Sequence, residues 1–490
     1  MDNHRYYTSI TKDLWAHQKM ACIESQHQDN YALFFEMGTG KTATAIALAR
    51  LKMVEMGGAQ NTLIVCPKIV VKQWGAEINR WSKLGKNVVL LEGPGAKRVK
   101  TLDKALCSRK PLVVIMNPET LSMSKVFNLL KLLDPKILIV DESHKFKNPT
   151  AKRTKLLVEL SGRIKHKFIL TGTPVLNSPM DLYSQYLILD GGKTFGKNFF
   201  MFRAKYFEDK NAGMKHSQKY FPNWVPRKGI EAEFNSLIKS SSMFVKKSEC
   251  LDLPPLIRKR VNVEMSNYQK AVYKEMANEF VAEFEQGTIE AQIALTKILR
   301  LQQIVSGFGK INYLDENEVE KQKEIRFEDI PRLDTLKDIL EEILPNHKAI
   351  IWTSFKMNYQ MIENVVRKLG YEASFIYGGQ TDRQREASIE DFKERDEVRV
   401  MIANQKAGGV GLNLIEASYS IYYSRTYSLE DDLQSEARNH RGGSEVHDKV
   451  TRIDLVTPGS VDELILEALE KKQNIAENIL EFDPKSVMLK

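Results

Sequence analysis

Short apolar runs punctuate the early part of the chain, each closing on a polar or glycine-bearing segment: Tyr31–Phe35, Thr62–Cys66, Leu112–Met116, Ile137–Val140 and Phe168–Leu170. The stretches between them carry helix-period spacing, and strands alternating with helices predict a parallel sheet covered on both faces. Residues 332–470 repeat the rhythm with Ala349–Ser354, Ser374–Tyr377, Val398–Ile402, Tyr419–Tyr423 and Val450–Val456. Two α/β lobes are expected. Between them, residues 186–325 lose the strand pattern and read as helices, with apolar positions three and four apart over Tyr268–Glu285 and Thr288–Val305. The polar, acidic stretch from Asn312 to Asp329 reads as the linker to the second lobe. After Asp462–Lys472 a further short helix leads to a frayed tail at Pro484–Lys490. The expected divisions are therefore 1–185, 186–325, 326–475 and 476–490.

The first run ends in Glu36-Met37-Gly38-Thr39-Gly40-Lys41-Thr42, a glycine-rich turn ahead of an alanine-rich helix. Such a turn cradles phosphate. Its backbone N–H groups and the helix N-terminus point at phosphate oxygens, Lys41 adds a charge near the β- and γ-phosphates, and the Thr42 hydroxyl can ligate Mg²⁺. Phe35 stands where the full pattern has a glycine. Downstream, the run Lys136–Val140 ends in Asp141-Glu142-Ser143-His144, a strand delivering two carboxylates to its C-terminal edge, where ligands of open parallel sheets sit. There Asp141 would hold Mg²⁺ and Glu142 would orient and deprotonate an attacking water. Hydrolysis of a nucleoside triphosphate is the chemistry these residues imply.

Composition narrows the class. A chain of 490 residues with 42% hydrophobic content can bury roughly two to four domain-sized cores. No apolar run approaches the roughly 18–20 residues of a membrane span. The polar start Met1–Arg5 is not a signal peptide. Cys22, Cys66, Cys107 and Cys250 are too scattered for a disulfide framework or a structural zinc site. A soluble, cytoplasmic protein is expected, with the nucleus as the alternative compartment. The net charge is +9, and residues Gly191 to Cys250 hold 12 Lys/Arg against 5 Asp/Glu, interleaved with aromatics from Phe195 to Trp224. The aromatics read as a local core of the helical insertion, and the charge as a surface facing nucleic acid.

The second lobe carries Asn404 to Leu414, including Lys406 and Gly411, directly after a strand, then Gln434-x-x-x-Arg438-x-x-Arg441. Two arginines one helical turn apart share a face, and guanidinium groups can neutralise charge on a transferring γ-phosphate. In order and spacing these elements resemble a superfamily 2 helicase motor, and more closely the Swi/Snf-type double-stranded-DNA translocases. Leu14-x-x-His17-Gln18 resembles their adenine-reading glutamine motif. Leu63–Pro67 with Trp74 and Glu77, and Val114–Leu121, resemble segments that touch DNA backbone. Asp141–His144 with Lys147-Asn148, and Leu170-Thr171-Gly172-Thr173-Pro174 with Asn177, resemble the hydrolytic and coupling motifs. Gly378 to Phe392, Lys406 to Leu414, Gln434 to Arg441 and Ser460–Glu463 supply the second-lobe set.

The resemblance covers roughly residues 10–475 and implies two RecA-like P-loop lobes with a helical insertion between them. It implies ATP and Mg²⁺, with Gln18, Gly38, Thr39, Gly40, Lys41, Thr42 and Gly411 at the nucleotide and Thr42 and Asp141 at the metal. Lys41, Asp141, Glu142, Arg438 and Arg441 would be catalytic, and His144, Thr171, Thr173 and Gln434 would couple hydrolysis to motion. Lys68, Lys147, Asn148 and Lys406 would grip double-stranded DNA, with little preference for sequence. The departures lie elsewhere: Met243–Lys247 replaces the family's paired arginines, Tyr427-Ser428-Leu429 its Trp-Asn-Pro, and Gly442-Gly443-Ser444 its Ile-Gly-Gln. So bare a motor looks like stand-alone bacterial or phage members. A strand-separating helicase and an ATP-switched clamp with little turnover remain open beside the translocase.

Overall fold

The computed structural model describes residues 13–83, 87–212, 222–285, 291–314, 320–408 and 412–480. The chain divides into two compact units, Met1–Leu251 with Lys472–Lys490, and Asp252–Lys471.

In the first unit, seven parallel strands form one sheet. They are β1 (Asn30–Phe35), β2 (Thr62–Val65), β3 (Val88–Leu90), β4 (Val113–Met116), β5 (Ile137–Asp141), β6 (His166–Leu170) and β9 (Ser242–Val245), in the order β3-β4-β2-β5-β6-β1-β9. The central strands are apolar throughout because both faces are covered. Alternate residues feed opposite cores: Leu63, Val65, Leu138 and Val140 lie in one cluster, and Ile64, Ile137 and Ile139 in the other. Each such fully buried aliphatic contributes about 1.5–3 kcal/mol.

The second unit repeats the plan. Strands β10 (Leu256–Asn262), β13 (Lys348–Trp352), β14 (Glu372–Ile376), β15 (Val398–Ala403), β16 (Ala417–Tyr422) and β17 (Val450–Val456) form a parallel sheet in the order β10-β17-β16-β13-β15-β14. Ile351 and Ile402 face one core, Ile350 and Met401 the other. These are the two lobes the apolar rhythm predicts.

The stretch 186–325 differs from its expected helical character. It holds helices Phe199–Tyr206, Ile230–Lys239, Asn267–Glu285 and Ala291–Val305, but also strands. The pair β7 (Phe207–Asp209) and β8 (Trp224–Pro226) is antiparallel, as is the pair β11 (Phe308–Leu314) and β12 (Glu320–Arg326). β9 and β10 from the same stretch extend the two sheets, and β12 occupies much of the expected linker. The closing brace is one helix, Val461–Leu480, in place of two. The aromatic cluster is the local core expected: Phe195, Phe202, Tyr206, Phe207 and Phe234 are buried together. Tyr220 and Phe221 lie outside the described residues.

Candidate active site

Sheet order gathers the first unit's motifs. β5, β6 and β1 are neighbours, so the ends of all three parallel strands meet at one edge. The phosphate loop follows β1, Asp141 ends β5 and Thr171 follows β6. The approach is close enough that a Cβ on Gly172 would lie 3.2 Å from the Phe35 carbonyl.

Gly38 and Gly40 have φ of 85° and 83°, a conformation open to glycine and strained for other residues. Gly40 is the N-cap of the helix Lys41–Glu55, and a Cβ there would fall 2.0 Å from Gln18 Nε2. The Thr39 hydroxyl donates to Glu36 O at 2.7 Å. Lys41 Nζ reaches back over the loop to Phe35 O at 2.8 Å and Glu36 O at 3.1 Å. Thr42 follows it in the first turn of the helix. From below, His17 Nε2 donates to Thr39 O at 2.8 Å, and Gln18 Nε2 donates to Gly40 O at 3.3 Å. Gln18 Oε1 accepts from Trp15 N at 2.8 Å. Gln18 is buried under the loop and keeps one N–H and one lone pair for a further partner.

Asp141 is held on both oxygens. Trp74 Nε1 donates to Oδ2 at 2.8 Å, and Glu142 N donates to Oδ1 at 3.0 Å. Desolvation and then the Glu142 charge push its proton affinity up to about 6, against the Trp74 donor, the Lys41 charge and the Glu142 N–H. Glu142 adopts φ 51° and ψ 52°, a left-handed backbone that costs a non-glycine residue about 1–2 kcal/mol. The turn aims its carboxylate back at the edge. Its buried Oε2 accepts no hydrogen bond among the described residues, with His144 Nδ1 3.4 Å away.

His144 Nδ1 lies 2.8 Å from Thr171 Oγ1, which also accepts from Thr173 N at 3.1 Å. His144 Nδ1 thus faces both the Glu142 carboxylate, at 3.4 Å, and the β6 loop. Thr173 Oγ1 is buried with no hydrogen-bond partner among the described residues. Ser143 donates to Gln185 Oε1 at 2.7 Å, and Gln185 Nε2 donates to Pro174 O at 2.7 Å and Asp181 O at 2.8 Å. Gln185 lay outside the sequence motifs, and Trp74, read there with a segment that resembles a DNA-backbone contact, gives its indole N–H to Asp141.

These residues fit a magnesium nucleotide. A side chain at Gly40 would be strained by the left-handed backbone and would displace the Gln18 amide, and the lysine amine is tethered to the loop it would serve. The Asp141 oxygens each keep acceptor capacity, and the buried Glu142 Oε2 lacks a donor among the described residues.

The expected DNA contacts lie at strand ends. Lys68 is exposed on the turn Lys68–Val70 after β2. Lys147 reaches Asp181 Oδ2 at 3.4 Å. Asn148 Oδ1 accepts from Thr150 N at 2.9 Å and Thr150 Oγ1 at 2.8 Å, so its carbonyl serves its own turn while its amide nitrogen carries two further donors.

In the second unit, Lys406 is exposed on the helix Gln405–Gly408 after β15. Arg438 Nη1 and Arg441 Nη1 both donate to Leu412 O, at 3.0 and 2.9 Å. Arg438 Nε donates to Gln434 O at 2.8 Å, and Gln434 Nε2 to Glu430 Oε1 at 3.2 Å. Burial lowers the Arg441 pKa. Gly411 lies outside the described residues.

The sequence matches the SNF2-related domain over residues 17–307 and the helicase conserved C-terminal domain over 331–443. Among similar proteins, the ISWI chromatin-remodeling complex ATPase ISW1 of Saccharomyces cerevisiae is 26% identical over 96% of this chain and 40% of its own length. The probable ATP-dependent DNA helicase CHR12 of Arabidopsis thaliana is 27% identical over 92% of this chain and 40% of its own. The chain thus spans about two fifths of the length of these relatives. A solved structure, the Sulfolobus solfataricus SWI2/SNF2 ATPase core in complex with dsDNA, aligns over 98% of this chain and 97% of that one, with 21% identity and a TM-score of 0.43.

Proposed function

The chain belongs to the SNF2-related family, and on that premise we propose that it is an ATP-hydrolysing motor that translocates along double-stranded DNA. The observation that carries this reading is the joined constellation of the first unit: tethered Lys41, the Asp141–Glu142 pair, and His144 facing both Glu142 and Thr171. It has both a hydrolytic end and a path leading away from it.

In this reading Lys41 and the loop N–H groups hold the β- and γ-phosphates of ATP, and Thr42 and Asp141 hold magnesium. The metal would supply charge neutralisation to the transferring phosphoryl group. Glu142 orients and deprotonates the attacking water through its buried Oε2. Arg438 and Arg441 stabilise the charge that develops on the phosphoryl group. Through its bond to His144, Thr171 senses whether Glu142 is engaged. Gln18 positions Gly40 and offers its remaining amide capacity to the base.

Lys68, Lys147 and Lys406 contact DNA phosphates, so binding depends on salt and little on sequence. The names of the relatives, a remodelling ATPase and a DNA helicase, support action on DNA.

Displacement of a third strand from a blunt duplex tests translocation. The wild-type protein with ATP should displace it and the Glu142→Gln variant should not. Duplex-stimulated ATP turnover that leaves the third strand in place would contradict movement along the duplex.

A further inference from the structure

The helix Phe199–Tyr206 has two faces of opposite fate. Phe202 and Tyr206 are buried in the aromatic core, at 2% and 5% exposure, while Phe200 and Met201 stand 69% and 72% exposed. The exposed pair is fixed in place: Asn198 Oδ1 accepts from Phe200 N at 2.9 Å and from Met201 N at 3.1 Å, capping the helix. Behind it, the Arg203 guanidinium sits 4.1 Å from the centroid of Trp224 on β8 and 5.4 Å from that of Phe200. The phenylalanine is thus the outer end of a stack of ring, guanidinium and indole.

The stretch of chain around it is cationic. Among the described residues from 193 to 228, Lys and Arg outnumber Asp and Glu seven to two. Lys205 and Lys210 are engaged with Glu233 and Glu208, whereas Lys193, Lys197, Arg227 and Lys228 are exposed.

An apolar knob alone would suit a protein partner. An apolar knob backed by a stacked arginine, on a stretch of chain rich in exposed cations, suits a polyanion that also offers aromatic faces. Nucleic acid is that polyanion, and base faces are open only where strands are unpaired. We propose that Phe200, with Met201 beside it, is a stacking platform for unpaired bases, with Lys193 and Lys197 on the adjoining phosphates. This rests on the reading that the chain handles DNA, and adds to it a second, single-strand site.

The test uses the full chain, labelled oligothymidylate and a labelled blunt duplex, with affinity read by fluorescence anisotropy over a salt series. Alanine at both Phe200 and Met201 should weaken oligothymidylate binding by about five- to 100-fold, as loss of stacking on a base does. The slope of affinity against salt should stay unchanged, because no phosphate contact is removed. Blunt-duplex affinity and duplex-stimulated ATP turnover should also stay as they are. Phe200→Trp, which keeps a ring, should retain single-strand binding; both positions are exposed, so neither change opens the core. Unchanged oligothymidylate affinity in the alanine variant would overturn the proposal and leave the patch to a protein partner. An equal loss on the blunt duplex would overturn it in favour of a general phosphate surface. Wild-type binding to the duplex alone would sink this site only, whereas binding to neither DNA would sink the motor reading as well.

Discussion

Glu142 sits in a left-handed turn, and its buried Oε2 accepts no hydrogen bond among the described residues; strain of that kind persists where the surroundings hold it. If it is the general base, Glu142→Gln leaves nucleotide binding intact and abolishes most turnover, because a carboxamide cannot accept the proton. Nucleotide affinity by equilibrium titration beside steady-state turnover checks this, and turnover near wild type would remove Glu142 from the role. Arg441→Ala should cost on the order of 10³-fold in turnover if the guanidinium stabilises the transferring phosphoryl group. A loss below about tenfold would mark a structural arginine, fixed to Leu412 O and nothing more. A pH-dependent term comes from His166, whose pKa burial lowers despite Asp29 Oδ1 at 3.2 Å. A histidine kept neutral in the fold gains its proton first in the unfolded chain. Its contribution is present above about pH 6.5 and is lost as pH falls below that value. His166→Gln should flatten the fall in melting temperature between pH 7 and 5, and an unchanged slope would assign that fall to other groups. At this scale the sequence was legible where a motif names both residue and spacing, as for Lys41, Asp141 and Glu142. It named Trp74 beside a segment resembling a DNA-backbone contact but not the bond of its indole to Asp141 across 67 residues of chain, and it offered no way to see the Asn148 carbonyl turned onto Thr150.

The helix Leu429–Glu436 is fastened to the second sheet by an element-scale device, a buried arginine on β17. Arg452 takes Asp432 in a bidentate grip, Nη1 to Oδ2 and Nη2 to Oδ1, both at 3.0 Å. It also takes Glu436 at 3.0 Å and Asp454 at 3.1 Å, with its guanidinium 4.0 Å over the Tyr422 ring. Arg258 from β10 closes a second bidentate grip on Glu436. Removing one partner from a buried ionic cluster typically costs about 3–5 kcal/mol, because the charges left behind have no water. Arg452→Met should therefore lower the urea midpoint of the second unit markedly, and a shift worth less than about 1 kcal/mol would mean water already reaches the cluster. Because Gln434 rides on the same helix, duplex-stimulated turnover should fall with it. The apolar runs revealed the central strands of both sheets because burial on both faces writes itself into composition. β3, three half-buried residues, and the edge strands β9 and β10 did not show. β9 is four residues paired to β1 some two hundred positions earlier, and β10 carries Arg258-Lys259-Arg260 on an exposed edge, as edge strands do. Pairing partners so distant leave no local period, so the stretch read as helices.

At the scale of the whole molecule, the proposed function ties ATP hydrolysis to travel along duplex DNA. If a chain of net charge +9 grips phosphates as proposed, it should bind duplex with an affinity falling linearly in log salt, with a slope of about −0.9 per phosphate neutralised. Lys406→Ala should make that slope shallower by about one without changing sequence preference. An unchanged slope would take Lys406 off the DNA. Movement makes a further demand, since a motor that steps along its track turns over more ATP per encounter on a longer track. The decisive measurement is steady-state ATPase at one low salt concentration with blunt duplexes of increasing length at saturation, beside single-stranded DNA and RNA. Turnover that is strongly stimulated by duplex and rises with its length to a plateau is the predicted result. Stimulation by single strands alone, or turnover indifferent to duplex length, would contradict it.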